Sequence, residues 1–136
     1  MKRIRKNVFI IREEFDLLKR YLKRNKKANL IDRQSSILLK KELNRAKITS
    51  KEEFPDKVVR LNSTVFIKDT DTNVATAYTL VLPENVNLKA GKISIFSPVG
   101  VALIGFRKGL IFTWNFLRGK QNLIILEVYN SPSLKM

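Results

Sequence analysis

Few side chains in this sequence have the type and spacing that chemistry needs. "DTDTN" at 69–73 opens like a calcium loop, yet Val74 stands where glycine is required and Leu80 where a bidentate glutamate is required; a polar hairpin turn is the better reading. Asp32 and Glu42 are ten residues apart, about 15 Å along a helix, too far to share an ion, and the cations around Asp32 would repel one. Asp32 is most simply a helix cap. Lys92 follows Gly91 without the glycine spacing of a phosphate loop, and the "NST" sequon at 62–64 has no secretion signal ahead of it. With no cysteine and no histidine, thiol nucleophiles, imidazole triads and Cys/His zinc sites are excluded. No catalytic residue, metal site or cofactor is expected.

Charge is the stronger signal. Lys23, Arg24, Lys26, Lys27 and Arg33 crowd one short connector that contains neither glycine nor proline. Residues 1–51 hold 17 Lys and Arg against 5 Asp and Glu, a net of +12, whereas residues 52–136 hold 10 against 7, a net of +3. A field this one-sided favours an anionic partner: nucleic acid, or a nucleic-acid machine with acidic surfaces. For any single lysine, solubility is reason enough.

Phe112, Trp114 and Phe116 alternate along one stretch and so share a face. Such a face can stack single-stranded bases, but core packing beneath a helix is the better reading.

The elements that hold these residues follow from periodicity. Ile11, Phe15, Leu18 and Leu22 form one helical stripe with charges on the other faces. A second helix runs from the Asp32 cap with Leu39, Leu43 and Ala46 on its stripe and Ile37 and Leu38 beside it. Joined by the basic connector, the two form an antiparallel hairpin, since neither stripe can be buried alone. Its first helix, residues 11–25, is only about 22 Å long.

Pro55 then opens an extended link. "VVRLNSTVFIKD", "VATAYTLVLP", "KISIFS", "LIFTWNF" and "NLIILEVY" read as strands of a mostly antiparallel sheet. Pro98 starts a short helix with Val101, Leu103 and Ile104 on its apolar side, ended by Gly105 and Gly109. The class is α+β, with a helical hairpin over 1–50 and a sheet domain over 51–136. No apolar run approaches the length of a membrane span, and a cytoplasmic location is expected.

Three blocks, "LKKELNRAKI" (39–48), "FPDKVVRLNSTV" (54–65) and "ISIFSPVGVALIGFRKGLIFTW" (93–114), in this order and spacing resemble the Gre-type transcription elongation factors of bacteria. The likeness is closer to the short-armed Rnk-like branch and runs from Leu39 to about Tyr129. It implies an FKBP-like second domain that docks on the rim of the RNA polymerase secondary channel, against a helical coiled coil of the largest subunit. In the full-length factors an acidic arm tip then helps hold a catalytic magnesium, so that the polymerase cuts its own backtracked RNA. The family's polymerase contact matches "FSPVG", which assigns that role to Ser97 and Pro98. Phe96, in the same loop, is counted with them as polymerase-binding, although it stands where the cleavage factors tend to have an acidic residue. Leu110 similarly replaces an aspartate after the second glycine.

A short arm with a cationic tip implies a polymerase-binding regulator that does not stimulate transcript cleavage and competes with factors that do. Two rivals stand beside it: a free-standing nucleic-acid binder using "MKRIRK" and the tip, and a peptidyl-prolyl isomerase, the last because the implied fold also hosts that activity. Whether the helices pair within one chain or between two stays open, because so short a hairpin has little core of its own.

Overall fold

The computed structural model describes residues 8–24, 33–116 and 119–130. Lys26, Lys27 and Asp32 lie outside the described residues, and Arg24 and Arg33 are placed by their backbone alone.

The chain begins with a short strand, β1 (Phe9–Ile11), that runs directly into α1 (Arg12–Arg24). The sequence places Ile11 in the helix; the structure makes it the last strand residue, fully buried. Glu13 and Glu14 occupy the first turn of α1, where carboxylates complement the positive end of the helix. Leu18 is buried, with Phe15 and Leu22 half-buried on the same stripe. The second helix, α2 (Arg33–Arg45), buries Leu39 and Leu43 and places Arg45 in its last turn, the favourable end for a cation. Next comes β2 (Lys47–Thr49), paired in parallel with β1 in the register Phe9–Lys47, Ile10–Ile48 and Ile11–Thr49.

Residues 50–63 cross to the main sheet. The expected strand from Val58 starts only at Thr64, because a turn intervenes. The Ser63 amide donates to the Arg60 carbonyl (3.0 Å), the Arg60 amide donates to Ser63 Oγ (2.8 Å), and Asn62 adopts φ 72°. Asparagine tolerates that conformation better than most residues.

The main sheet contains β3 (Thr64–Asp69), β4 (Ala75–Val81), β5 (Lys92–Ser94), β6 (Ile111–Phe116) and β7 (Gly119–Tyr129), in the order β5-β4-β3-β7-β6. Pairing is antiparallel except at β4–β5, which is parallel, so the sheet is mostly antiparallel as expected. The β3–β4 turn at 69–73 is held by Asp69, whose Oδ1 accepts the amides of Asp71 (2.8 Å) and Thr72 (3.2 Å).

The short helix α3 (Pro98–Leu103) buries Val101, Ala102 and Leu103. One apolar cluster joins Val65, Ile67, Leu80 and Ile125 of the sheet to Leu18, Leu39 and Leu43 of the two long helices. The junction beyond α3 is close. Gly105 has φ 83°, and a Cβ there would meet Val8 Cγ1 at 2.5 Å. No described helix is long and apolar enough to cross a membrane.

On the sheet, Glu127 takes hydrogen bonds from Lys108 (3.0 Å) and from the Val128 amide (3.0 Å), and pairs with Lys57 at 3.1 Å. The Lys108 and Lys57 ammoniums and that amide hold its carboxyl down, from the ordinary 4.5 to about 2. A carboxylate favoured in the folded state stabilises it above pH 4.5 and loses that contribution as pH falls towards 2. Glu127→Gln is therefore expected to destabilise the protein at pH 7, with the difference from wild type closing between pH 4.5 and about 2. Urea unfolding at several pH values measures it, and added salt should shrink the gap because the site is partly exposed.

Candidate functional site

The loop between β5 and α3 carries the residues that the sequence marks for a partner. Its conformation is fixed by two serines. Ser94 Oγ accepts the Phe96 amide (3.0 Å), and the Ser94 carbonyl accepts both the Ser97 amide (3.0 Å) and the Ser97 hydroxyl (2.7 Å). Ser97 in turn caps α3, its Oγ accepting the Gly100 amide at 3.1 Å. Pro98 follows as the first helical residue, where its missing N–H costs nothing, and it is exposed. The loop thus presents a proline knob on a hydrogen-bonded frame.

Phe96 is turned the other way. It is only 7% exposed, and its ring stacks on Tyr21 of α1 with centroids 5.6 Å apart and an interplanar angle of 27°. The Tyr21 hydroxyl donates to the Glu84 carboxylate. The Phe96 side chain, placed among the contact residues by the resemblance, is buried here and ties the loop to α1. The sequence carries no sign of this, since Tyr21 and Phe96 are brought together only by the fold.

A second tie fixes the base of α1. Arg60 Nε donates to Glu14 Oε2 at 2.9 Å, with Nη2 on the same oxygen, and the Leu61 amide reaches Glu14 Oε1 at 3.4 Å. The fork of a guanidinium on a carboxylate sets orientation as well as distance. Neither residue stands out in the sequence.

On the two long helices, Arg12, Lys19, Arg20 and Lys23 of α1 are exposed, as are Lys40, Lys41 and Arg45 of α2. Of the tip cations, Lys23 is therefore seen in solvent. Glu42, the nearest acid along α2, is buried. Among the described residues no three His, Cys, Asp or Glu side chains gather as a metal site would require. The arrangement offers a rigid knob and a cationic helix pair; it offers no acid–base pair.

Trp114, 9% exposed, lies beneath α3 and not on an open platform. It borders a half-open cavity of about 330 Å³ between α3 and the sheet, together with Tyr78 and Phe112.

A five-stranded sheet crossed by one short helix, with two longer helices packed on the same core, is a Gre-like mixed α+β fold. The solved structure of a prokaryotic transcription elongation factor GreA/GreB from Nitrosomonas europaea superposes with a TM-score of 0.77 at 30% identity, over 93% of this chain and 100% of that one. Thermus aquaticus Gfh1 shares the fold at a TM-score of 0.51 and 19% identity, over 93% of this chain and 100% of that one. Residues 54–130 match the family described as "Transcription elongation factor, GreA/GreB, C-term", and the chain belongs to that family.

Among curated relatives, transcription elongation factor GreA of Syntrophobacter fumaroxidans is 40% identical over 68 residues, 50% of this chain and 44% of that protein. The regulator of nucleoside diphosphate kinase of Escherichia coli K12 is 35% identical over 95 residues, 69% of this chain and 70% of that protein. The chain thus spans less than half of the first relative and about two thirds of the second. By name these relatives are a transcription elongation factor and a regulator of a kinase.

Proposed function

We propose that this chain binds bacterial RNA polymerase at the rim of the secondary channel, docking through Ser97 and Pro98, and modulates elongation without stimulating transcript cleavage. The observation that carries the reading is the Ser94–Ser97–Gly100 hydrogen-bond frame, which holds an exposed Pro98 two residues from Phe96, itself stacked on Tyr21 of the cationic helix α1. In this reading residues 1–50 are an antiparallel helical hairpin and residues 51–136 an FKBP-like dock. The docked arm brings Lys23, Arg24, Lys26, Lys27 and Arg33 to the channel mouth, against acidic protein surface or extruded RNA. Such attraction is screened by salt. Cations there repel a divalent ion, so occupancy excludes cleavage factors without replacing their chemistry.

Purified bacterial RNA polymerase pulled down with tagged protein tests the dock. Wild type should retain polymerase, and Pro98→Ala should weaken binding by at least about fivefold, the loss typical of an interface hot spot. Pro98 is preferred to Ser97 because removing the Ser97 cap would itself cost about 1 kcal/mol of stability. No retention by wild type would overturn the polymerase reading; undiminished binding by Pro98→Ala would overturn the dock. Stalled elongation complexes incubated with the protein should show no added RNA cleavage.

The exposed cations of α1 and α2 favour one second reading, a stand-alone nucleic-acid binder. It requires tight, salt-sensitive binding of RNA or DNA in the absence of polymerase.

A further inference from the structure

The lining of the cavity under α3 includes neither Ser97 nor Pro98 and no residue of α1 or α2. Its walls carry Tyr78, Phe112 and Trp114 from the sheet and Val99, Ala102 and Leu103 from α3. Tyr78, Val99 and Phe112 are only half-buried although they lie between a helix and a sheet, because the space beside them is open. The Phe112 ring is held by an edge contact with buried Phe106, centroids 5.0 Å apart. An aromatic-walled space of about 330 Å³ is at the small end of ligand sites.

The rim supplies one charge. Asp69 borders the cavity beside Thr72 and Gln121. Its Oδ1 is occupied by the amides of the turn, while Oδ2 has only a long contact from Gln121 Nε2, at 3.4 Å. Asp69 is the one charged residue in the cavity lining, and Asp71 stands in the same turn. Aromatic faces also attract cations, through the negative potential of the ring.

We propose that this cavity is a binding site for a small organic ammonium ligand, its apolar body against Phe112, Trp114 and Leu103 and its charged nitrogen on Asp69 Oδ2.

Trp114 is the chain's single tryptophan, so its emission reports on the cavity directly. The probe is 3-phenylpropylammonium, with 3-phenylpropanol and 3-phenylpropionate as neutral and anionic counterparts, titrated into the full chain. The ammonium should give a saturable change, with binding about tenfold tighter than the alcohol, as one charge-assisted hydrogen bond supplies, and the carboxylate should bind more weakly still. Amide shifts in an NMR titration should centre on Thr72, Trp114 and Gln121. Asp69→Asn keeps an oxygen for the turn amides and should bring the ammonium down to the level of the alcohol at an unchanged melting temperature. Ala102→Leu should fill the cavity and abolish all three responses.

The series on the wild-type protein decides the matter without either variant. No saturable response, equal binding of the three probes, shifts centred elsewhere, or tighter binding of a neutral proline-containing tetrapeptide would each overturn the proposal.

Discussion

Gly100→Ala should lower the unfolding free energy by about 1–3 kcal/mol, the usual cost of forcing extra volume into a packed site. The sign is the informative part. In an ordinary helix the same change stabilises by roughly 1 kcal/mol, because glycine loses more backbone freedom on folding than alanine does. Here a Cβ would stand 2.5 Å from the Ser94 carbonyl oxygen and 2.8 Å from both Cα and O of Ile95. All three are backbone atoms, so no side chain can rotate away. Relief requires α3 to lift from the end of β5, a movement that strains the Ser94–Ser97 bonds. Urea unfolding of the variant measures the cost, and polymerase retention should fall with it if Ser97 and Pro98 are the dock. A variant as stable as wild type, or more so, would show that helix and loop are not in contact at this point.

That glycine illustrates which parts of the molecule the sequence discloses. The stripes of α1 and α2 are legible because burial repeats every three or four residues, and Leu18, Leu39 and Leu43 are indeed buried. The strands of the main sheet are legible from β-branched runs between turn residues. β1 and β2 are not, because each has three residues and its partner lies at the far end of both helices; no local pattern encodes such a pairing. The start of β3 is displaced by side-chain chemistry at Ser63 and by Asn62, a turn hidden inside an apolar run. At the candidate site, the helix start at Pro98 can be read directly from "FSPVG", whereas the Ser97 cap comes from the structure. The inward turn of Phe96 and the Glu14–Arg60 contact are products of packing between residues 46 or more positions apart, and the cavity beside Trp114 exists only once α3 is laid against the sheet.

Phe96→Asp should be the most damaging single change at the loop, costing about 3–5 kcal/mol at pH 7. Truncating a buried aromatic accounts for much of this, and the remainder is the burial of a carboxylate without a cation to pair with it. Glu84, which accepts from the Tyr21 hydroxyl, adds like charge on the far side of the ring. Phe96→Leu, which keeps an apolar group of similar reach, should cost less than about 1.5 kcal/mol. The two variants separate by pH. Burial raises the introduced carboxyl above its unfolded value of about 3.9, so the unfolded state releases that proton more readily. The penalty is then full at neutral pH and eases as pH falls towards 4. Urea unfolding of both variants at pH 7 and pH 4 should show the gap between them narrowing in acid. A gap within about 1 kcal/mol at pH 7, or one that ignores pH, would mean that Phe96 is not packed on Tyr21, since only a desolvated site imposes a charge penalty of this size. An acid at this position would remove the stack on Tyr21, one of the ties between α1 and the loop that leads into α3.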